Sequence, residues 1–432
     1  MSSVGSRPTT EGLFFSFIAL IVVFGFAEPI GVGLLGDSRT VKAIRVLACC
    51  LPFMALSSVF SGYFSAVRRV YKNAGSVILE QAVQIAVTVR LITLVASESV
   101  EAACTAVAVG TLVSEIASFL YNLLLCSLDA CSLKNKYNDI DPKLIKKLLG
   151  ISLPIAFSTY IRSGLLTVEH LLIPYGLRKN GASYSSSMST YGLVQGMVFP
   201  IIMFPSCIIY SFAGLLVPEL AAYNERKEQA KIDKAVSMVI KYALAFSIGV
   251  AGVLVCYSYE LSMAFYNSAE AYEYIRLFAP LVTVMYLDGA VDGLLKGLNQ
   301  QLHSMKINIA DALLSVLFVY LLIPSMGVRG YVLTVFICEI FNCGMSLTRL
   351  VKISSPSISI KEYVLKPIIG IVLSSSAVVY GFDAFGGTVF DSTANLVFRI
   401  ALTFALYLLF VFWKDIKRKK NKHPSSSEDG CF

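Results

Sequence analysis

The chain has 432 residues, 56% hydrophobic and only 15% charged, with a formal net charge of +8 and a mean hydropathy of +0.71. A soluble domain carries about 25% charged residues, so this much apolar surface cannot be hidden in one water-soluble core. Runs of apolar residues recur along the whole chain, each long enough to cross a hydrocarbon core of roughly 30 Å. Backbone groups in hydrocarbon must bond within their own segment, so the runs are helices. The short alternating segments of a membrane β-barrel do not occur. The fold class expected is therefore an all-α polytopic membrane protein with about twelve transmembrane helices.

In chain order the spans fall near 12–34, 44–65, 75–97, 103–126, 149–176, 189–217, 236–257, 277–297, 305–324, 328–348, 366–382 and 395–413. The first eleven residues are polar, and the run behind them is too long for a cleavable signal peptide. One set of loops carries Arg68, Arg69 and Lys72, the lysines from Lys134 to Lys147, Arg226 to Lys234, Lys306, Arg349 to Lys361 and the basic tail after Lys414. The opposite set carries only Arg39, Lys42, Arg178, Lys179, Arg276 and Arg329. This bias makes the first set cytoplasmic, with both termini on that side of a plasma membrane. It also accounts for the net charge without nucleic acid.

The charged stretch 128–148 divides the chain. The expected organisation is an N-terminal lobe at 1–127 with four helices, a cytoplasmic linker at 128–148 and a C-terminal lobe at 149–352 with six helices. Two additional helices follow at 353–413, then a basic, Ser-rich tail at 414–432 held near anionic headgroups. The ten cysteines are scattered without a CxxC pair and read as small hydrophobes. Three histidines, His170, His303 and His423, do not make a His-rich metal site. There is no GxxxxGK[ST] phosphate loop, so ATP hydrolysis is not expected. No cofactor and no enzymatic chemistry are expected, and transport would draw on an ion gradient or the membrane potential.

Ionisable groups inside spans are costly and mark cavities or partners. The third span carries Glu80, Gln81, Gln84 and Arg90; Glu80 and Gln84 share a face. The fifth carries Arg162, Glu169 and His170. Arg162 and Glu169 lie two turns apart, and a guanidinium fork suits phosphate oxygens. An internal Arg–Glu pair is the structural alternative, and His170 reads as a headgroup contact. The eighth span places Asp288, Asp292 and Lys296 on one stripe, either a charged cavity wall or a self-neutralised packing stripe. Asp311 is a candidate partner for Lys306 or Lys296. Glu115, Glu339 and Asn342 are further buried polar candidates.

Several segments together resemble the MOP flippase superfamily, and within it the stage V sporulation protein B-like branch of polysaccharide and peptidoglycan-precursor flippases. They are SLPIAFSTYIRSGLLTVEHLLIP from Ser152, YGLVQGMVFPIIMFPSCIIYSFAGLLVPELA from Tyr191, YLDGAVDGLLKGLNQQ from Tyr286, IPSMGVRGY from Ile323, and the region from Arg68 to Ile85. The resemblance covers about residues 12–413. It implies two six-helix lobes in a V, two further helices, and alternating access for an undecaprenyl-pyrophosphate-linked sugar. On that plan the chain begins at the third helix, so no residue inherits the basic role of the family's first helix. Arg162 inherits a phosphate-facing role, and Glu80, Gln81 and Gln84 are first-lobe cavity candidates. Two other readings stand beside it. One is a cation-coupled multidrug-type antiporter using Glu80, Asp288 or Asp292; the other is a membrane assembly protein without transport activity.

Overall fold

The computed structural model describes residues 3–34, 37–67, 69–95, 99–132, 142–181, 183–384 and 392–420. All regular structure among them is helical, and the chain divides into two compact units, Met1–Leu149 and Gly150–Phe432. Residues 133–141 of the expected linker and 421–432 of the expected tail lie outside the described residues.

Unit 1 holds α1 (Ser3–Gly25), α2 (Thr40–Ala48), α3 (Leu51–Ala66), α4 (Val70–Val95) and α5 (Val100–Ser132). Its second expected span is broken: α2 and α3 meet at a bend of 42°. The helices α4 and α5 are joined by polar contacts as well as by apolar packing. Asn122 Nδ2 donates to Ser76 Oγ at 2.7 Å, and Ser76 pairs with Ser118 at 3.0 Å. Small hydroxyls and amides of this kind hold membrane helices together where no hydrophobic effect operates between them. At one end of this pair, Lys72 Nζ and Arg69 Nη1 converge on Asp129 Oδ1 at 2.6 and 2.7 Å.

Unit 2 contains most of α6 (Pro142–Lys179), then α7 (Tyr184–Leu193), α8 (Phe199–Met203) and α9 (Ser206–Glu225). The last three form one apolar span with a π-turn at Val194–Val198 and a break before Pro205. The carbonyls freed there find partners: Ser206 Oγ donates to Met203 O at 2.6 Å, and the buried Tyr286 hydroxyl donates to Ile202 O. Irregular backbone at membrane depth survives only when it is satisfied in this way.

Next come α10 (Gln229–Cys256), α11 (Ser258–Tyr266), α12 (Ala271–Phe278), α13 (Val282–Gly297), α14 (Gln301–Met326), α15 (Val328–Ile353), α16 (Lys366–Ala384) and α17 (Ser392–Lys420). The core lies along α10, whose buried residues run from Ile232 to Leu254. The helix α13 packs on α9 through Gly289, Gly293 and Gly297, one every four residues. A Cβ at Gly297 would stand 3.1 Å from both Leu220 Cβ and Val217 O, and one at Gly289 would enter the Tyr210 ring. Missing side chains let the two backbones approach.

The final two helices are tied to α10. Ser355 N donates to Asp233 Oδ1 at 3.1 Å and Ser357 N to Ser237 Oγ at 3.0 Å. Tyr407 donates its hydroxyl proton to Ala245 O.

Among the described residues nine helices are long and apolar enough to cross a membrane, ten if the bent α2–α3 pair is one span. All twelve expected spans fall on helical segments, but the full count of twelve crossings is not reached by that measure. The shortfall is the Gly12–Gly25 segment, which is apolar but short, and α6, which is long but is not among the helices apolar enough to cross.

Candidate functional site

The polar groups expected inside spans gather separately within each unit. In unit 1, Gln84 Nε2 donates to Thr111 Oγ1 of α5 at 3.2 Å. The charge of Glu80 acts on Glu115, a buried carboxylate on α5. Helical spacing puts Glu80 and Gln84 together, and α5 completes the group. Gln81 and Arg90 fall on the exposed surface of the unit.

In unit 2 the stripe on α13 divides. Lys296 Nζ lies 2.7 Å from Asp292 Oδ2, and Ser304 Oγ of α14 donates to Asp292 Oδ1. Both oxygens of Asp292 are thus occupied. Asp288, one turn further from Lys296, has Ser346 of α15 as a polar neighbour, while its Oδ1 is buried without a partner.

Arg162 on α6 is exposed within its unit, and its charge acts on Asp288, on Asp311 of α14 and on Glu339 of α15. Glu169 has Ser315 of α14 as a polar neighbour. No Arg162–Glu169 ion pair occurs among the described residues. The expected pairing of Asp311 with Lys306 or Lys296 is corrected: the charges acting on Asp311 are those of Asp288, Glu169 and Arg162, and its Oδ1 is buried without a partner. Five residues along a helix separate side chains by about 140°, which puts Lys306 on another face, and Lys296 is held by Asp292.

His170 is exposed on its unit. Its Nδ1 lies 2.6 Å from the Tyr191 hydroxyl. Nearby, Gln195 Nε2 donates to Tyr331 Oη at 2.9 Å. A second polar bridge joins α14 and α15: Asn342 Nδ2 donates to Asn308 Oδ1 at 3.3 Å.

Within unit 2, therefore, one guanidinium acts on three carboxylates, from α13, α14 and α15, and Glu169 of α6 acts on one of these, Asp311. Sequence spacing pointed to Arg162, Glu169 and Asp288. Asp311 and Glu339 carried no spacing signal, because each is a lone acid on its own helix, and only the packing of α14 on α15 brings them in. Ser315, Ser346, Tyr191 and Tyr331 were not singled out at all, since hydroxyls are common in membrane helices. Among the described residues, no three His, Cys, Asp or Glu side chains are arranged to hold a metal ion. The arrangement can bind or exchange charge in a low-dielectric setting, and it contains no nucleophile–base pair.

Residues 10–208 match the family model described as polysaccharide biosynthesis protein. Stage V sporulation protein B of Bacillus subtilis (strain 168) is 25% identical over 395 residues, covering 89% of this chain and 75% of that protein. Sporulation protein YkvU of the same strain is 22% identical over 246 residues, 53% of this chain and 52% of that protein. Among solved structures, the lipid II flippase MurJ in an inward closed conformation matches with a TM-score of 0.64 and 14% identity, over 97% of this chain and 86% of that one. An inward-facing multidrug resistance MATE transporter of the MOP superfamily matches with a TM-score of 0.63 and 14% identity, over 82% of each chain. These likenesses support a membrane flippase or transporter. The chain is a multi-pass helical membrane protein whose fold matches that of solved MOP transporters, and its sequence is similar to stage V sporulation protein B and, over residues 10–208, to the polysaccharide biosynthesis protein family model.

Proposed function

We propose that this protein moves a lipid-linked, pyrophosphate-bearing oligosaccharide or peptidoglycan precursor across the plasma membrane by alternating access, in cell-wall or spore-cortex biogenesis. The observation that carries the reading is the similarity to stage V sporulation protein B along 395 residues, joined to Arg162, exposed within its unit on α6. A guanidinium there presents donors in a planar fork that matches phosphate oxygens. Glu80, Gln81, Gln84 and Arg90 in unit 1, and Glu169 and Asp288 in unit 2, are candidate substrate contacts, whereas Asp292 and Lys296 are closed on each other. The lipid tail would remain in the bilayer while the headgroup crosses.

The carboxylates of unit 2, three of them under the charge of Arg162, favour a second element of the reading, coupling to a cation or proton through unit 2. They equally support the alternative of a cation-coupled antiporter for small molecules, because a formally acidic site suits cationic substrates. Complementation of a strain depleted of its peptidoglycan-precursor flippase separates the two. Rescue by the wild-type chain, lost in Arg162→Ala at unchanged membrane abundance, supports the flippase. Full rescue by Arg162→Ala removes the role given to Arg162. Failure of the wild-type chain to rescue, together with proton- or Na⁺-dependent export of a cationic dye, supports the antiporter. Failure of both, with the protein present in the membrane, supports the assembly-protein reading.

A further inference from the structure

Unit 2 carries an apolar cavity of about 450 Å³ beside the broken α8–α9 span, away from the carboxylate group. Its floor is the buried end of α10, Val250, Val253 and Leu254, and its walls include Pro205, Ile400 and Phe404. Phe204 and Phe265 also line it, and they are 79% and 67% exposed, which marks its open side. A cavity of this size falls in the range of ligand pockets. The apolar lining offers little to orient a polar solute. An unfilled cavity forfeits the dispersion contacts of every atom around it, and in a bilayer the surrounding filler is hydrocarbon chain.

The residue before Ile400 is Arg399. Its guanidinium lies over the rings of Tyr257 and Phe382, at 5.4 and 5.7 Å from their centroids. Tyr257 is the first residue after α10 and is fixed by its hydroxyl, 3.0 Å from Thr403 Oγ1. Arg399 Nε is buried without a hydrogen-bond partner, and no carboxylate pairs with this guanidinium among the described residues. Seven residues from the start of α17 amount to about 10 Å of helix, within reach of the headgroup layer for a long cationic side chain. A cation with donors to spare therefore adjoins an apolar cavity at the end of three spans.

We propose that Arg399 and this cavity form a binding site for one anionic glycerophospholipid, with the phosphate on the guanidinium and an acyl chain lying against the α8–α9 break. The site is separate from the carboxylate group. The lipid would act as a wedge, filling the space beside a span whose backbone is already interrupted.

The test is native mass spectrometry of the full chain released from detergent, titrated with dioleoyl phosphatidylglycerol or dioleoyl phosphatidylcholine. The expected result is one retained phosphatidylglycerol at about tenfold lower lipid concentration than phosphatidylcholine, a difference of about 1.4 kcal/mol. Arg399→Gln is expected to make the two lipids equivalent. Ile400→Trp, which fills the cavity from its half-exposed wall, is expected to lose both. If Ile400→Trp does not fold, a phosphatidylglycerol carrying a photoreactive acyl chain serves on the wild type, with crosslinks expected within 200–205 and 250–266. Equal retention of both lipids by the wild type overturns the proposal, as does an unchanged preference in Arg399→Gln or crosslinks confined elsewhere. Competition by inorganic phosphate alone, without lipid retention, also overturns it, because it reduces the site to an anion contact.

Discussion

An ionised group at the centre of a span costs about 2.5–3.5 kcal/mol on insertion scales, so the individual charges of unit 2 are informative. Asp292 and Lys296 form a closed i,i+4 pair whose side chains remain 25% and 51% exposed. Such a pair contributes little, about 0.3–0.5 kcal/mol on a helix surface. Asp292→Asn is therefore expected to leave membrane abundance and complementation near wild type. Asp311 is different: its neighbours are other carboxylates and one guanidinium, and one of its oxygens is buried without a partner. Asp311→Asn keeps the shape and removes the charge. It is expected to reduce transport at least tenfold with normal abundance, measured by complementation beside an immunoblot of the membrane fraction. Equal effects from the two substitutions would show that the distinction between the closed pair and the open group is wrong. The arginine admits a finer comparison: Arg162→Lys retains charge but loses the fork, so partial rescue is expected where Arg162→Ala gives none.

Among the elements, α13 is the one that positions the site. Its sequence DGAVDGLLKG interleaves an acidic stripe with a glycine stripe at the same four-residue step. The glycines seat α13 on α9, and this contact fixes where Asp288 stands relative to α14 and α15. A Cβ at Gly289 would enter the Tyr210 ring, whereas one at Gly293 would meet only Ala213 Cβ at 3.3 Å. Overpacking typically costs about 1–3 kcal/mol. Gly289→Ala is expected to lower the thermal midpoint in detergent clearly more than Gly293→Ala. The reverse order would mean that the α9–α13 approach is not set by these residues. Part of this was legible beforehand. The four-residue step of Asp288, Asp292 and Lys296 was read correctly, but which member faces a partner on the same helix and which faces another helix depends on packing. The break between α8 and α9 falls at Pro205, and its satisfaction by Tyr286 had no local signal, because that tyrosine comes 84 residues after Ile202.

For the molecule as a whole, the loop charges carry a definite expectation. With the side rich in lysine and arginine taken as cytoplasmic, Cys256, exposed at the end of α10, is expected near the outer face. A membrane-impermeant maleimide applied to intact cells is expected to label a variant whose other cysteines are serine. Labelling only after permeabilisation would reverse the orientation. The same orientation places Arg399 toward the outer leaflet, since α10 ends beside it.

Apolar runs and their spacing were enough to determine that this is a helical membrane protein, where its helices fall and how its loops are charged. Those properties follow from the bilayer, which forces each backbone segment to satisfy itself and so makes secondary structure a local matter. The resemblance to MOP flippases was also legible, because it lies in several short stretches of sequence. Tertiary structure alone decided which polar side chains meet. Asp311 and Glu339 lie on different helices, and nothing local distinguishes them from structural acids until α14 and α15 pack and bring both within reach of Arg162. The cavity beside α8–α9 and the partnerless Nε of Arg399 likewise exist only once α9, α10 and α17 are side by side.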